Sequence, residues 1–491
     1  MKHYRQLSLM TAILLTLPLI ACGETAVPAD ETATATASDT TTSPSSEYTD
    51  PGIDFGGETF TVAAHVWETP WQLANYNEVF IDEENGDFLN DAIVKRTQLI
   101  EEQFNLNLDI YPIAERNKPT ELVTAALAGD DVYKFGLVMS ASLPTMLGTE
   151  GMLVDLNSVP TLDFTHSWWD QNAIDELNLF GVQYAALGDV NLYAKGGPVV
   201  NFFNKVMIES NGLENPYELV RSGKWTLDKM IEMATAVSRD LNSNGVPDID
   251  DCFGFMGETD SMFYLLTGCD VRFSEHDDEK IEITIMSERS VDAIAKIADL
   301  LNDKHVTLFD GDCPAGYSNV YFEIMIPTLG NNRALFFSNN LLASLNMRDM
   351  EVDFGILPLP KYNEEQENYV SFSNTWFNDY VIIPSTNTDL ERTGEVIEAM
   401  CYYSQQYVVP AFIDNAVMNK TIRDDDSGEM IELVFDTMEY DIALIFNWGG
   451  IQGTVTGMKS KSGQSYASVY EASKAAILAA VDETTEELKN R

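Results

Sequence analysis

Basic residues are scarce in this 491-residue chain: 29 Lys and Arg stand against 78 Asp and Glu, a formal net charge of −49. A field of that sign repels phosphate backbones and excludes nucleic acid as a partner. It also disfavours strongly anionic ligands and suits neutral or cationic ones, although general surface acidity accounts for most of it. Cysteine is rarer still, at five residues. Beyond Cys22 the chain has Cys252, Cys269, Cys313 and Cys401, with no CxxC pair and no zinc spacing. Two states stay open for them: buried thiols, or disulfides, where a closed Cys252–Cys269 loop would contribute roughly 3 kcal/mol. The five histidines, His3, His65, His166, His276 and His305, show no ligand spacing and read as structural or, for His3, as part of a leader. GxSxG, HExxH, GxGxxG and the P-loop are absent, so no catalytic residue is assigned and the chain does not read as an enzyme. The abundance of acids leaves a glycosidase carboxylate pair as the alternative. No repeat of fixed period is visible.

What is present starts at the N-terminus. Lys2 and Arg5 precede a mostly apolar run from Leu7 to Ile20, and Leu19-Ile20-Ala21-Cys22 closes it. Basic region, short apolar region and small residue form an export signal, too short to remain as a membrane span. A cysteine at the cleavage point is the pattern of a lipoprotein signal, whose thiol is acylated (palmitate or a similar chain) and becomes the new N-terminus. Residues 1–21 are therefore read as the signal peptide and Cys22 as the lipidation site. Acyl chains would hold the protein at the extracellular face of the cell membrane through roughly 0.8 kcal/mol per buried methylene. Residues 22–51, rich in Ala, Thr, Ser, Pro and acids, read as a disordered stalk.

About 440 residues follow the stalk, more than one core usually accommodates, so two lobes are expected. Phe60–Ala64 reads as a strand, Asp87–Phe104 as a helix whose apolar stripe Arg96 interrupts, and Leu106–Ile110 as a strand of period two. Glu121–Leu127 follows as a helix and Phe135–Met139 as a continuous apolar strand. This order implies an α/β fold with a mostly parallel sheet covered on both faces. Ligands bind beyond the carboxyl ends of such strands, which points to the segments after Ala64 and after Met139. A second unit begins near Pro198, with a strand at Val199–Phe203 and an amphipathic helix over Thr226–Arg239 capped by Thr226. A late strand at Val381–Pro384 precedes a helix at Thr393–Tyr403, and Tyr466–Val481 is a closing helix.

Two groups of residues carry chemistry. Asp240, Asn242, Asn244, Val246, Asp248 and Asp251 occupy positions one, three, five, seven, nine and twelve of a calcium loop, with Gly245 at the sharp turn. The shorter Asp251 stands where a bidentate glutamate is usual, and Asp250 is its possible substitute. The competing reading is a solvated Asn/Gly/Asp turn. The second group is tryptophan. Trp225, directly before a helix cap, reads as core, whereas Trp67 and Trp71 follow the first strand at its carboxyl end. Trp376 lies in the polar stretch Ser371–Asp379, and Trp448 beside Gly449 and Gly450, where glycines allow close approach. Flat aromatic faces with Asn, Asp and Glu nearby suit a sugar ring.

In their order, Trp168–Leu177, Val199–Lys205, Gly223–Asp228, the Asp240–Asp251 loop with Phe253-Gly254, Phe354–Lys361 and Phe446–Gly450 carry a resemblance. The chain resembles extracellular solute-binding lipoproteins of ATP-binding-cassette importers, in the maltose-binding-protein-like branch and its Gram-positive, Clostridia-type members. The resemblance implies a two-lobed periplasmic-binding-protein-like fold with a hinge and an interlobe cleft. By analogy lobe one would hold residues 52–197 and 370–430, and lobe two 198–369 and 431–491. It implies a monomer that captures a small solute, an oligosaccharide first and a peptide or amino acid as alternative, and hands it to permease subunits. Trp67, Glu68 and Trp71 would stack on and hydrogen-bond the ligand, with Ser140 and Ser142 adding hydrogen bonds. Asp189, Trp376 and Trp448 would stand near the crossovers, and Phe337, Ser338 and Asn339 would contribute from lobe two. No catalytic cofactor is expected, and calcium would be structural.

Overall fold

The computed structural model describes residues 47–66, 77–413, 424–461 and 463–490. Helix α1 (Phe88–Phe104) follows strand β1 (Glu58–His65), and the side chain of Asp87 accepts from the Leu89 and Asn90 amides at its start. Asn105, in the left-handed region at φ 47, ends the helix and turns the chain into β2 (Leu106–Ile113). Helix α2 (Thr120–Ala128) then leads to β3 (Phe135–Met139). β1 pairs in parallel with β2 and with β3, so each crossover is a helical βαβ connection.

Five strands build a second sheet: β4 (Val199–Asn204), β5 (Phe253–Gly257), β6 (Thr307–Phe309), β7 (Ala334–Asn340) and β8 (Phe354–Leu357), in the order β6-β5-β7-β4-β8. Helix α3 (Leu227–Val237) packs on it, and a Cβ on Gly254 would stand 2.0 Å from the Ala234 carbonyl oxygen. Only glycine admits that approach. The chain then returns to the first sheet as β9 (Asp379–Ile382), antiparallel to β3, giving the order β9-β3-β1-β2.

Alternation along the first sheet assigns its two faces. Val62, Ala64, Leu137 and Val381 join a cluster with Phe104 and Val396, the latter on α4 (Leu390–Tyr403). Ala63, Val138, Tyr380 and Ile382 face the other way, into a core that continues through the second sheet. Both faces are buried, as a parallel sheet covered by helices requires. Arg96, read as an interruption of the helix stripe, is fully buried. Its guanidinium donates to the carbonyls of Glu78 (2.5 Å) and Val79 (2.6 Å) and to Ser404 Oγ (3.1 Å).

Between the sheets three stretches lie side by side. Pro198 bridges Ser373, while Ser371 and Phe372 pair with Met438 and Glu439. Helix α5 (Asp425–Asp436) packs on β8, and the Ile356 amide donates to Ser427 Oγ. The expected lobe-one limit at residue 430 thus falls inside a helix held by the second sheet. The stalk expected to run to residue 51 is shorter too. Tyr48 stacks on Tyr402 at 4.8 Å and accepts from Gln103 Nε2, because its ring finds an aromatic surface on the first lobe. No helix among the described residues is long and apolar enough to cross a membrane.

Candidate functional site

A cleft of about 370 Å³ opens between the two sheets. Met139, Ser140 and Pro144 line it at the carboxyl end of β3, and Asp260 and Phe263 line it beyond the carboxyl end of β5. Asn374, Thr375 and Trp376 enter from the return to β9, and Leu444–Asn447 from α6 (Ile442–Phe446) and its end. Trp376 is 49% exposed, between the half-buried Thr375 and Phe377. An exposed indole on a cleft wall is a flat apolar platform already presented to solvent.

That platform is held by its backbone. Ser140 Oγ donates to the carbonyls of Thr375 (2.7 Å) and Asn378 (3.2 Å). The Arg116 guanidinium donates to the Trp376 carbonyl and pairs with Asp379 at 2.5 Å, and the Arg116 carbonyl accepts from Ser142 Oγ. Asn374 Oδ1 accepts from the Trp376 amide, while Asn374 Nδ2 donates to the Tyr264 hydroxyl of the second lobe. Ser140 and Ser142, expected to meet ligand, therefore spend their hydroxyl protons on protein carbonyls. They position Trp376. Behind them burial pushes the carboxyls of Glu78 and Asp379 up, with Arg116 acting against the shift at Asp379.

Other expected residues lie elsewhere. Trp448 is 3% exposed, donates to Thr484 Oγ1 (2.9 Å) and stacks on Phe446. Its neighbour Gly449, at φ 55, would place a Cβ 2.4 Å from the Ile477 nitrogen, so the glycine admits the closing helix α7 (Tyr466–Lys489), not a ligand. Phe337, Ser338 and Asn339 sit within central strand β7, at most 3% exposed, with Ser338 Oγ on Asn201 Oδ1. They lie along the strand instead of beyond its end. Asp189 is buried and paired with Lys195 at 2.6 Å. Trp225 is core, its indole N–H on the Pro358 carbonyl. Trp168 and Trp169 are core as well, both donating to the Glu398 carboxylate. Trp67, Glu68 and Trp71, like Cys22, lie outside the described residues.

Asp260 and Phe263 were missed, although the rule that selected the segment after Met139 applies equally after β5. Asp260 is the one charged side chain among the described cleft residues. Burial, then Asp310, raises its carboxyl, and burial raises neighbouring Glu258 to about 7.

The Asp240–Asp251 loop is a hydrogen-bonded turn. Asp240 accepts from the Ser243 and Gly245 amides, and Asp251 from those of Leu241 and Asp248. Asn242 and Asn244 donate to Asp248 Oδ2, bonds that hold the Asp248 carboxyl below its ordinary range. Among the described residues no group of three His, Cys, Asp or Glu side chains converges to hold a metal. Any cation here would rely on amide and carbonyl oxygens as well as carboxylates, and those donors are all the hard oxygens calcium takes. Cys252, Cys269 and Cys401 are buried free thiols and Cys313 a half-buried one.

No family model matches the sequence, and no curated protein matches it. Solved structures do. The substrate-binding protein Lmo0181 of Listeria monocytogenes, in complex with cycloalternan, superposes with a TM-score of 0.54 at 13% identity over 88% of this chain and 99% of its own. The GacH receptor of Streptomyces glaucescens, solved unliganded and with acarbose, gives 0.54 at 13% over 87% and 99%. Maltose-bound MalE3 of T. maritima gives 0.51 at 15% over 86% and 99%. These likenesses are of fold alone: with its two sheets, adjoining crossovers and cleft, the chain has a two-lobed α/β architecture like that of these solved binding proteins.

Proposed function

We propose that this protein is a solute receptor that captures a carbohydrate between its lobes and passes it to the permease of an ATP-binding-cassette importer. The observation that carries the reading is Trp376, half exposed on the cleft wall among Asn117, Asn374, Asn447 and Gln452. An aromatic plane ringed by amides matches a sugar's apolar C–H face and hydroxyl rim. The structural neighbours solved with cycloalternan, acarbose and maltose support the same solute class. Ligand touches both lobes only when they close, so binding shifts the population toward the closed form. No chemical step is required of the protein.

In this reading Cys22 carries the lipid anchor, and the receptor works as a monomer at the extracellular face of the membrane. Trp67, Glu68 and Trp71, which follow β1 in sequence, are proposed as further ligand contacts. The Asp240–Asp251 loop takes a structural calcium ion, held by Asp240, Asn242, Asn244, the Val246 carbonyl, Asp248 and Asp251. A thermal-shift and calorimetric screen of mono- and oligosaccharides against amino acids and peptides tests the central claim. A saccharide should bind at one site and be recovered intact. Hydrolysis of the bound glycan, or binding confined to peptides, would overturn it.

A further inference from the structure

A chain of three hydrogen bonds joins the Trp376 platform to the second lobe. The Trp376 amide donates to Asn374 Oδ1 at 3.0 Å, and Asn374 Nδ2 donates to the Tyr264 hydroxyl at 3.2 Å. That hydroxyl donates in turn to Glu258 Oε1 at 2.8 Å. Tyr264 and Asn374 are buried, and Glu258, which directly follows β5, is half-buried with its amide on Ser261 Oγ. Three titratable groups face Glu258: Tyr264 from the helix Ser261–Gly268, Asp260 from its own turn, and Asp310, which directly follows β6. Lys459 stands beyond Asp310.

The direction of these bonds is set at the Glu258 end. A hydroxyl has one proton, so a Tyr264 that donates to an ionised Glu258 only accepts from Asn374. The Asn374 amide is then oriented with Oδ1 toward the Trp376 N–H. A protonated Glu258 is able to donate to Tyr264 instead. The Tyr264 proton then turns to Asn374, whose amide meets it by rotating Oδ1 away from Trp376. Burial raises the Glu258 carboxyl to about 7, opposed by the bond from Tyr264 and aided by Asp260 and Asp310.

We propose that Glu258, Tyr264 and Asn374 form a proton-dependent relay, in which ionised Glu258 sets the Trp376 platform for ligand and protonated Glu258 releases it. Glu258 and Tyr264 are positioning residues that act through Asn374. For its ligand the relay rests on the carbohydrate reading above. Only molecules with the platform set bind fully, so apparent affinity follows their fraction. By reciprocity, saccharide binding near neutral pH draws Glu258 to its ionised form and releases a proton.

Calorimetry with maltose and maltotetraose, in buffers of different ionisation enthalpy, reads affinity and proton release at about pH 5.5 and about pH 8.5. Wild-type affinity should rise about three- to tenfold between them. Tyr264→Phe keeps the ring against Phe372 and removes only the hydroxyl. It should bind equally weakly at both pH values and release no proton. Glu258→Gln removes the titrating group and should also abolish the pH dependence, which decides the matter even if Tyr264→Phe does not fold. Without ligand, the fluorescence difference between each protein and its Trp376→Phe derivative should show the same step. A step that survives in Tyr264→Phe would belong to Asp379 and Glu78 behind the platform and would overturn the relay, as would a wild-type affinity independent of pH. If no saccharide binds but the fluorescence step is present and is lost in Tyr264→Phe, the receptor reading falls and the relay stands. If neither is seen, both fall.

Discussion

Trp376 and Trp225 are the same residue type with opposite fates, and their contrast gives a direct experiment. Trp376→Ala should weaken saccharide binding by roughly 1–3 kcal/mol, the range for truncated aromatic anchors, with little change in ligand-free melting because the side chain is 49% exposed. Trp225→Ala removes a fully buried indole that packs on Phe336 and donates to Pro358. It should cost roughly 3–5 kcal/mol of stability and leave affinity unchanged in the fraction that stays folded. Paired calorimetry and thermal melting read both. A large apo-stability loss in Trp376→Ala would move that residue into the core and remove the chief support for the site.

At the scale of elements, the crossover is tied by an ion-pair group. Arg272 of the second lobe meets Glu176 at 2.6 Å and Glu439 at 2.8 Å, and the Glu176 carbonyl is hydrogen-bonded by His276. Burial raises the Glu176 carboxyl to about 7, with Arg272 acting against the shift. A carboxyl whose folded value lies above its unfolded one near 4.5 contributes stability that is full below that unfolded value and is lost as pH rises through about 7. Stability should therefore fall between about pH 5 and pH 8, and Glu176→Gln should remove up to about 3 kcal/mol of that fall. Urea titrations of both proteins at the two pH values measure it, and an equal slope in the variant would place the effect elsewhere. The calcium loop is a second element with its own test. Bound only by the folded protein, calcium at a hundredfold excess over its dissociation constant should add about 2.7 kcal/mol. Asp240→Ala should abolish that gain and spare sugar affinity, since the loop residues are not among those lining the cleft. Identical melting with and without chelator would leave only the self-bonded turn.

For the whole molecule the decisive quantity is the open–closed equilibrium. A micromolar ligand supplies about −8 kcal/mol, enough to drive closure while still permitting release. Small-angle scattering should show a smaller radius of gyration with saccharide present, and an unchanged one would argue against hinge closure. Anchoring is tested separately: Cys22→Ala should not incorporate labelled fatty acid, because acylation needs the thiol. Persistent labelling would sink the anchor proposal.

Local pattern determined much of this protein. Alternation and cap residues are properties of a few consecutive positions, so β1 to β3, their helices, the α3 cap and the Trp225 core position were all legible in the chain. The rule about strand ends likewise led to Ser140 and its neighbours, which line the cleft. Direction and partnership were not legible, because they depend on contacts outside the local pattern, from 17 to 260 positions apart. Ser140 and Arg116 pin Trp376 from more than two hundred positions away. Trp448 turns inward because the closing helix packs over Gly449. Arg96 is buried instead of exposed because carbonyls from Glu78 and Val79 converge on it. A sequence states which side chains are able to stack or donate, and only the tertiary structure decides which of them are left free to do so, since every internal partner found is one fewer offered to a ligand.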